Sequence, residues 1–207
     1  RTALAGRIVA ELCAPQHISA LGIVGTGIQA RLHLMYLKNV MTCRQLWVWG
    51  RSETALEEYR QYAQAEGFAV NTTLNAAELA HHSQFIVTTT PSREPILQAE
   101  DIQPGTHITA VGADSAGKHE LSAELVARAD KILVDSIAQC TDFGEVSLAF
   151  KQGLLAHHNL TEIGLALAQG IPFRENDQQI TLADLTGLGI QDVQIVKGIL
   201  GDKKGVL

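Results

Sequence analysis

The stretch Leu21-Gly22-Ile23-Val24-Gly25-Thr26-Gly27-Ile28-Gln29-Ala30 decides how this sequence folds. An apolar run of strand length ends at Val24, and G-x-G-x-x-A follows at the mouth of a helical pattern. Gly25 permits a tight turn, Gly27 lets the backbone approach a pyrophosphate, and the small Ala30 lets the helix pack close to the strand. The helix aims its positive end at the phosphates, which makes Thr26, Ile28 and Gln29 cofactor contacts together with the two glycines. In this strand-turn-helix context the motif predicts a Rossmann-type dinucleotide-binding fold; the alternative is a plain turn that two glycines shape.

Outward from that turn, short apolar runs alternate with helical patterns, as in βαβ units around a parallel sheet covered on both faces. Strands are expected at Ala20–Val24, Gln45–Trp49, Ala69–Thr72, Phe85–Thr88, His107–Val111 and Lys131–Asp135. Helices are expected at Ile28–Asn39, Glu53–Glu66, Ala76–Ala80 and Ser122–Ala127, the last with Ser122 as its cap. After Ser136 the pattern changes: Glu145–Gln152 and Thr161–Ala168 look helical, and Ile180–Leu182 leads through a glycine-punctuated turn into a helix at Ile190–Leu200. The expected division is a connecting helix at 1–19, a doubly wound α/β core at 20–136, and a helical bridge with a cofactor-covering loop at 137–207.

Composition narrows the function. The chain has 207 residues, 46% hydrophobic and 18% charged, enough apolar content for a buried core. Its formal charge is −6 and its basic residues form no run longer than a pair such as Lys203-Lys204, which argues against nucleic-acid and membrane partners and for a small-molecule partner. The three cysteines, Cys13, Cys43 and Cys140, are scattered and odd in number, so neither a metal site nor a disulfide framework is expected, and a cytoplasmic location fits. No apolar run reaches the roughly 20 residues of a membrane span. The chain opens on Arg1-Thr2-Ala3-Leu4-Ala5, the interior of a helical pattern, which reads as a piece of a longer protein.

The second strand chooses between cofactors. An NAD site needs an Asp or Glu near its end to take the ribose hydroxyl, and here Trp49 is followed by Gly50-Arg51-Ser52. A guanidinium and a hydroxyl suit a 2′-phosphate, so NADP(H) is expected over NAD(H), which stays possible. The other reading makes Arg51 an ordinary solvated residue and Ser52 the cap of the next helix.

These residues resemble the ornithine cyclodeaminase and mu-crystallin family. Arg1-Thr2-Ala3 is similar to its R-T-A helix, Gly25–Ala30 to its G-x-G-x-Q-A turn, and Val111–Leu121 to its G-x-D-x-x-G-K-x-E-L loop. Val134-Asp135-Ser136, Gly144-Glu145 and Thr186–Asp192 resemble three more of its signatures, in the same order. The resemblance implies a homodimer built through an N-terminal substrate and dimerisation portion that is absent here, along with a lysine and an arginine near the substrate. This chain alone would then bind cofactor and turn over little.

The resemblance also assigns roles. Asp114 would transfer protons beside the nicotinamide, with Val111, Gly112 and Ala113 as cofactor-facing neighbours; by sequence alone a turn-forming Asp is the simpler reading. Mu-crystallin-like members lack this acid, so Asp114 places the chain with the cyclodeaminases and dehydrogenases. Arg1 would hold a substrate carboxylate, which suits a bidentate donor. Thr88 and Thr89 end the fourth strand with hydroxyls towards the cofactor, unless they are simply a polar strand terminus. Leu188 lies in the loop that covers the nicotinamide, and Leu185 stands where several members have a hydroxyl residue. The pairs His81-His82 and His157-His158 read as solvated loops, His119 as a neighbour of Asp114, and Cys140 as an inert thiol. Glu145 and Asp192 read as partners for backbone groups or ions. The expected function is NADPH-dependent reduction of a cyclic ketimine such as Δ1-pyrroline-2-carboxylate. The alternatives are NAD-dependent ornithine cyclodeamination, alanine dehydrogenation, and non-catalytic NADPH binding.

Overall fold

The computed structural model describes residues 1–170 and 173–200; Lys203 and Lys204 lie outside the described residues. The chain starts with α1 (Thr2–Cys13) and continues through β1 (Leu21–Val24), α2 (Ile28–Leu37), β2 (Gln45–Trp49), α3 (Glu53–Ala65), β3 (Ala69–Thr73), α4 (Ala76–His82) and β4 (Phe85–Thr88). β5 (His107–Ala110), α5 (Ala123–Arg128), β6 (Lys131–Val134), α6 (Ile137–Asp142) and α7 (Glu145–Lys151) follow. The tail holds β7 (Leu160–Glu162), α8 (Ile163–Gln169), β8 (Thr181–Asp184) and α9 (Gly189–Leu200).

All strands run parallel in one sheet ordered β3-β2-β1-β4-β5-β8-β6-β7. β1, β4, β5 and β8 are buried along their whole length, which is why they read as short continuous runs without alternation. Successive side chains still divide between the faces. Leu21 and Ile23 pack with Leu34, Leu46 and Tyr59 on one side, while Val24 joins Ile86, Ile108 and Leu125 on the other. Each such fully buried side chain contributes about 1.5–3 kcal/mol, so this double-sided core is the main source of stability.

Local sequence explains the helices. α3 is capped by Ser52, opens with Glu53, and buries Leu56, Tyr59 and Ala63 on one stripe. Tyr59 then donates from its buried hydroxyl to the Ala30 carbonyl at 2.9 Å, which fixes the start of α2. In α1, Gly6 lets the helix approach His33, whose ring lies 2.7 Å from where a Cβ would stand.

The structure adds to the sequence reading in the tail. Six strands were expected and the sheet has eight among the described residues, because β8 returns from the C-terminal region and inserts between β5 and β6, and β7 forms the edge. The expected helix at Thr161–Ala168 is preceded by β7, and α8 begins at Ile163. β8 was hard to see because it carries Thr181 and Asp184 in a fully buried strand. Both are satisfied internally: Thr181 by His107 at 2.7 Å, and Asp184 by the Val146 N–H at 3.1 Å.

Candidate functional site

The sheet order sets the carboxyl ends of β2, β1 and β4 side by side, where open α/β sheets bind their ligands. At the centre, Gly25 adopts φ 114°, a conformation open to glycine, and its N–H donates to the Trp49 carbonyl at 2.9 Å. A Cβ on Gly25 would sit 2.6 Å from Thr89 Oγ1, which itself donates to the Val24 carbonyl at 3.0 Å. The turn is therefore held from both neighbouring strands.

Gly27 caps α2 without any side-chain hydrogen bond, and the first turn of α2 contains no acid. By contrast α3, α4, α5 and α6 are capped by Ser52, Asn75, Ser122 and Ser136. A Cβ on Gly27 would meet nothing within 4 Å, and Ile28 is 76% exposed. Gln29 Oε1 is buried with no partner among the described residues. Open space, unclaimed N–H groups and the positive helix end fit the pyrophosphate of a dinucleotide. Thr26, at the mouth of the turn, is half-buried.

Beside this turn a cleft of about 720 Å³ is lined by Trp49, Arg51, Leu74, Thr90 and Ser92, among others. The Trp49 indole donates to the Leu74 carbonyl at 3.0 Å, so the aromatic wall is fixed. Arg51 is exposed and makes no ion pair or side-chain hydrogen bond among the described residues. The Ser52 oxygen accepts from the Ala55 N–H at 3.5 Å as the cap of α3, and its own O–H proton stays available to a ligand.

On the other side of β4, the Val111 N–H donates to the Thr88 carbonyl at 3.0 Å, and Gly112 and Ala113 are buried as the chain turns outward to Asp114. The Asp114 side chain is 57% exposed and accepts from Lys118 Nζ at 2.6 Å. Lys118 acquired no role from the sequence, although its spacing of four from Asp114 was visible. Thr88 corrects the expectation that both strand-end hydroxyls face the cofactor. Its side chain is fully buried and donates to Glu120 Oε2 at 2.7 Å, while Thr89 stays half-buried at the turn.

Glu120 begins a set of buried acids. The Glu120 N–H donates to Glu145 Oε1 at 2.8 Å, the Leu121 N–H to Glu145 Oε2 at 2.9 Å, and the Val146 N–H to Asp184 Oδ2 at 3.1 Å. Burial pushes Glu120 up to about 7, against the lowering pull of bonds from Thr88, Thr90 and Gly112. Burial likewise raises Asp184 to about 8 and lifts Glu145 well above the usual carboxylate range. Asp135 accepts from Thr186 Oγ1 at 2.9 Å and the Gly187 N–H at 2.6 Å, holding the start of the loop that carries Leu188.

That loop borders a second cleft, about 480 Å³, formed with α1, α8 and α9 and lined by Arg1, Leu4, Ile163, Leu188 and Ile190, among others. Arg1 pairs here with Asp192. The remaining candidates stand apart. His81 and His82 are exposed but lie in the last turn of α4, where His82 stacks on Trp47 at 4.3 Å; this corrects their reading as loop residues. His157 packs edge-on against Phe150 at 4.7 Å within a short 3₁₀ turn. His119 is lowered first by burial and then by Lys151. Cys140 is buried with its thiol raised by burial, and burial raises Cys13 to about 12. Among the described residues no three His, Cys, Asp or Glu side chains group as a metal site, and no helix is long and apolar enough to cross a membrane.

Known proteins resemble this chain in sequence and in fold. An alanine dehydrogenase of Archaeoglobus fulgidus is 37% identical over 201 residues, which are 95% of this chain and 61% of that protein. The crystal structure of the iminosuccinate reductase of Paracoccus denitrificans in complex with NAD+ superposes with a TM-score of 0.90 at 30% identity, covering 96% of this chain and 61% of that one. The structure of Thermococcus litoralis Δ1-pyrroline-2-carboxylate reductase in complex with NADH and L-proline gives a TM-score of 0.89 at 26% identity, covering 95% and 61%. The chain spans about three fifths of the length of the curated relatives it matches. The model of the Ornithine cyclodeaminase/mu-crystallin family matches residues 1–204, and the chain belongs to that family.

Proposed function

We propose that the chain binds NADP(H) and serves the reduction of a cyclic ketimine that carries a carboxylate, such as Δ1-pyrroline-2-carboxylate. The observation that carries this reading is the unclaimed turn at Gly25–Gln29 beside an Arg51 that has no ion-pair partner among the described residues, in the same line of strand ends. Backbone N–H groups at Thr26, Ile28 and Gln29 bind the pyrophosphate, and Arg51 with Ser52 binds the 2′-phosphate. Thr89, Val111, Gly112 and Ala113 wall the nicotinamide end, to which Thr88 contributes backbone, and Leu188 covers it. The bound cofactor supplies a hydride to the C=N carbon. Asp114 relays the accompanying proton to the imine nitrogen, drawing it from its partner Lys118 or from water. Arg1 exchanges Asp192 for the substrate carboxylate.

NAD(H) is the second reading, favoured by the NAD+ and NADH held in related structures. Ornithine cyclodeamination is the rival reaction, because an accessible Asp114 can also take a proton from an amine or activate water. Loss of NADPH absorbance with Δ1-pyrroline-2-carboxylate, and ammonia release with ornithine, separates the two when run on the chain and on any longer form that contains it. Imine-dependent NADPH loss that disappears in Asp114→Asn supports the reductase. Ammonia release, or dinucleotide binding with neither reaction, contradicts it.

A further inference from the structure

We infer that Glu120 is a positioning residue for cofactor binding: its single carboxylate ties the loop after β4 to the loop after β5 and so sets the gap between them. The inference rests on the dinucleotide reading above, which places the nicotinamide end against these two loops.

Glu120 Oε2 accepts from Thr88 Oγ1 at 2.7 Å and from the Gly112 N–H at 2.9 Å, while Oε1 accepts from the Thr90 N–H at 2.6 Å. One donor group belongs to Thr88 at the end of β4, one to Thr90 in the loop that lines the 720 Å³ cleft, and one to the turn leading to Asp114. Gly112 is part of the same device, since a Cβ there would collide with the Thr90 carbonyl and with the Glu120 carboxylate. The Glu120 backbone is fixed independently of its side chain. Its N–H donates to Glu145, and its carbonyl accepts from Ile96 at 2.7 Å and Leu97 at 3.1 Å. The side chain is thus a strut at the inner end of two loops whose outer parts are joined by backbone bonds, from His119 to Ser92, from Ile96 and Leu97 to Glu120, and from Ser122 to Leu97.

Stability does not account for a carboxylate at this position. The group is fully buried and forms no ion pair among the described residues; the ionisable groups facing it are further acids, Glu145 on α7 and Asp184 on β8. A buried unpaired carboxyl costs more than an apolar side chain of the same volume would. What it offers is acceptor capacity: two oxygens that take three donors at once, where an amide offers one oxygen and presents a donor in place of the other.

The test uses the chain itself, as wild type and Glu120→Gln, with NADPH and NADH titrations, amide exchange at Thr90 and Gly112, and thermal unfolding. Glu120→Gln is expected to fold, to exchange faster at one of those two amides, and to bind NADPH about tenfold more weakly, because a buried donor is left facing a donor. Wild-type affinity is expected to weaken as pH falls through about 7, and this dependence to flatten in the variant; the 2′-phosphate titrates in both proteins and cancels in the comparison. A folded Glu120→Gln with wild-type affinity overturns the positioning role alone. If the variant does not fold, wild-type affinity that is flat across pH 7 overturns it. A wild type that binds neither dinucleotide overturns the functional reading, and the positioning role with it.

Discussion

Along one edge of the sheet, the turn after β1 leaves its backbone N–H groups without side-chain partners among the described residues, whereas Glu120 closes the turns after β4 and β5, Asp135 closes the turn after β8, and Asp184 holds the start of α7. The two regions share the same strand-to-loop geometry and the same buried strands. They differ in whether the chain supplies acceptors for its own donors. A helix start left without a cap forgoes about 1 kcal/mol, which an arriving anion can restore. The closed region instead spends buried carboxylates to hold loops in place. The difference teaches where this fold expects a ligand and where it supplies rigid walls.

The comparison can be broken at either end. Gly112→Ala, in the closed region, should be the most damaging change, about 3 kcal/mol, because the new Cβ meets a backbone carbonyl and a buried carboxylate; denaturant unfolding measures it. The closed region should also be sensitive to pH. Glu120 and Asp184 have folded pKa values of about 7 and about 8, above their unfolded values, so their stabilising contribution is full below the unfolded carboxylate pKa and is lost as pH rises through those values. His33 and His107, lowered by burial to about 4 and about 3, contribute stability that is present above their unfolded 6.5 and is lost on acidification. Between pH 6.5 and about 8 the acids outweigh the residual histidine contribution, and stability should fall by about 2 kcal/mol. A stability that rises across that window would contradict the account.

In the open region, Gly27→Ala should leave unfolding unchanged, since its Cβ meets nothing, yet weaken dinucleotide binding about twentyfold by occupying the phosphate approach. Arg51→Ala should weaken NADPH about tenfold and leave NADH alone, as expected for one lost charge-assisted contact. Ser52→Ala, which removes the cap of α3, should cost about 1 kcal/mol in stability with a smaller loss of NADPH affinity.

The open region was legible in the sequence because its signals are local. Gly25, Gly27 and Ala30 sit at fixed spacing between an apolar run and a helix, and the absence of an acid after Trp49 is visible within three residues. The closed region was not, because its logic spans long separations. Glu120 meets Thr88 and Thr90 across thirty or so residues, and Asp184 reaches Val146 from a strand returning late in the chain. Thr88 was misread for the same reason: on an apolar strand end a hydroxyl can face the cleft or the core, and only the folded position of Glu120 decides. Asp192 was read as an ion-pair or backbone partner, and the structure supplies Arg1 as its counterpart. Periodicity found the helices other than the short α6 but missed β7 and β8, each too short and too mixed in polarity to stand out.

The central claim is that the turn at Gly25–Gln29 and Arg51 form one dinucleotide site with a preference for the phosphorylated cofactor. Titrating the chain with NADPH and NADH separately, while following the fluorescence of Trp47 and of Trp49 in the cleft wall, tests it most directly. The account predicts quenching with both and tighter binding of NADPH; tighter binding of NADH would contradict the role of Arg51, and binding of neither would contradict the site.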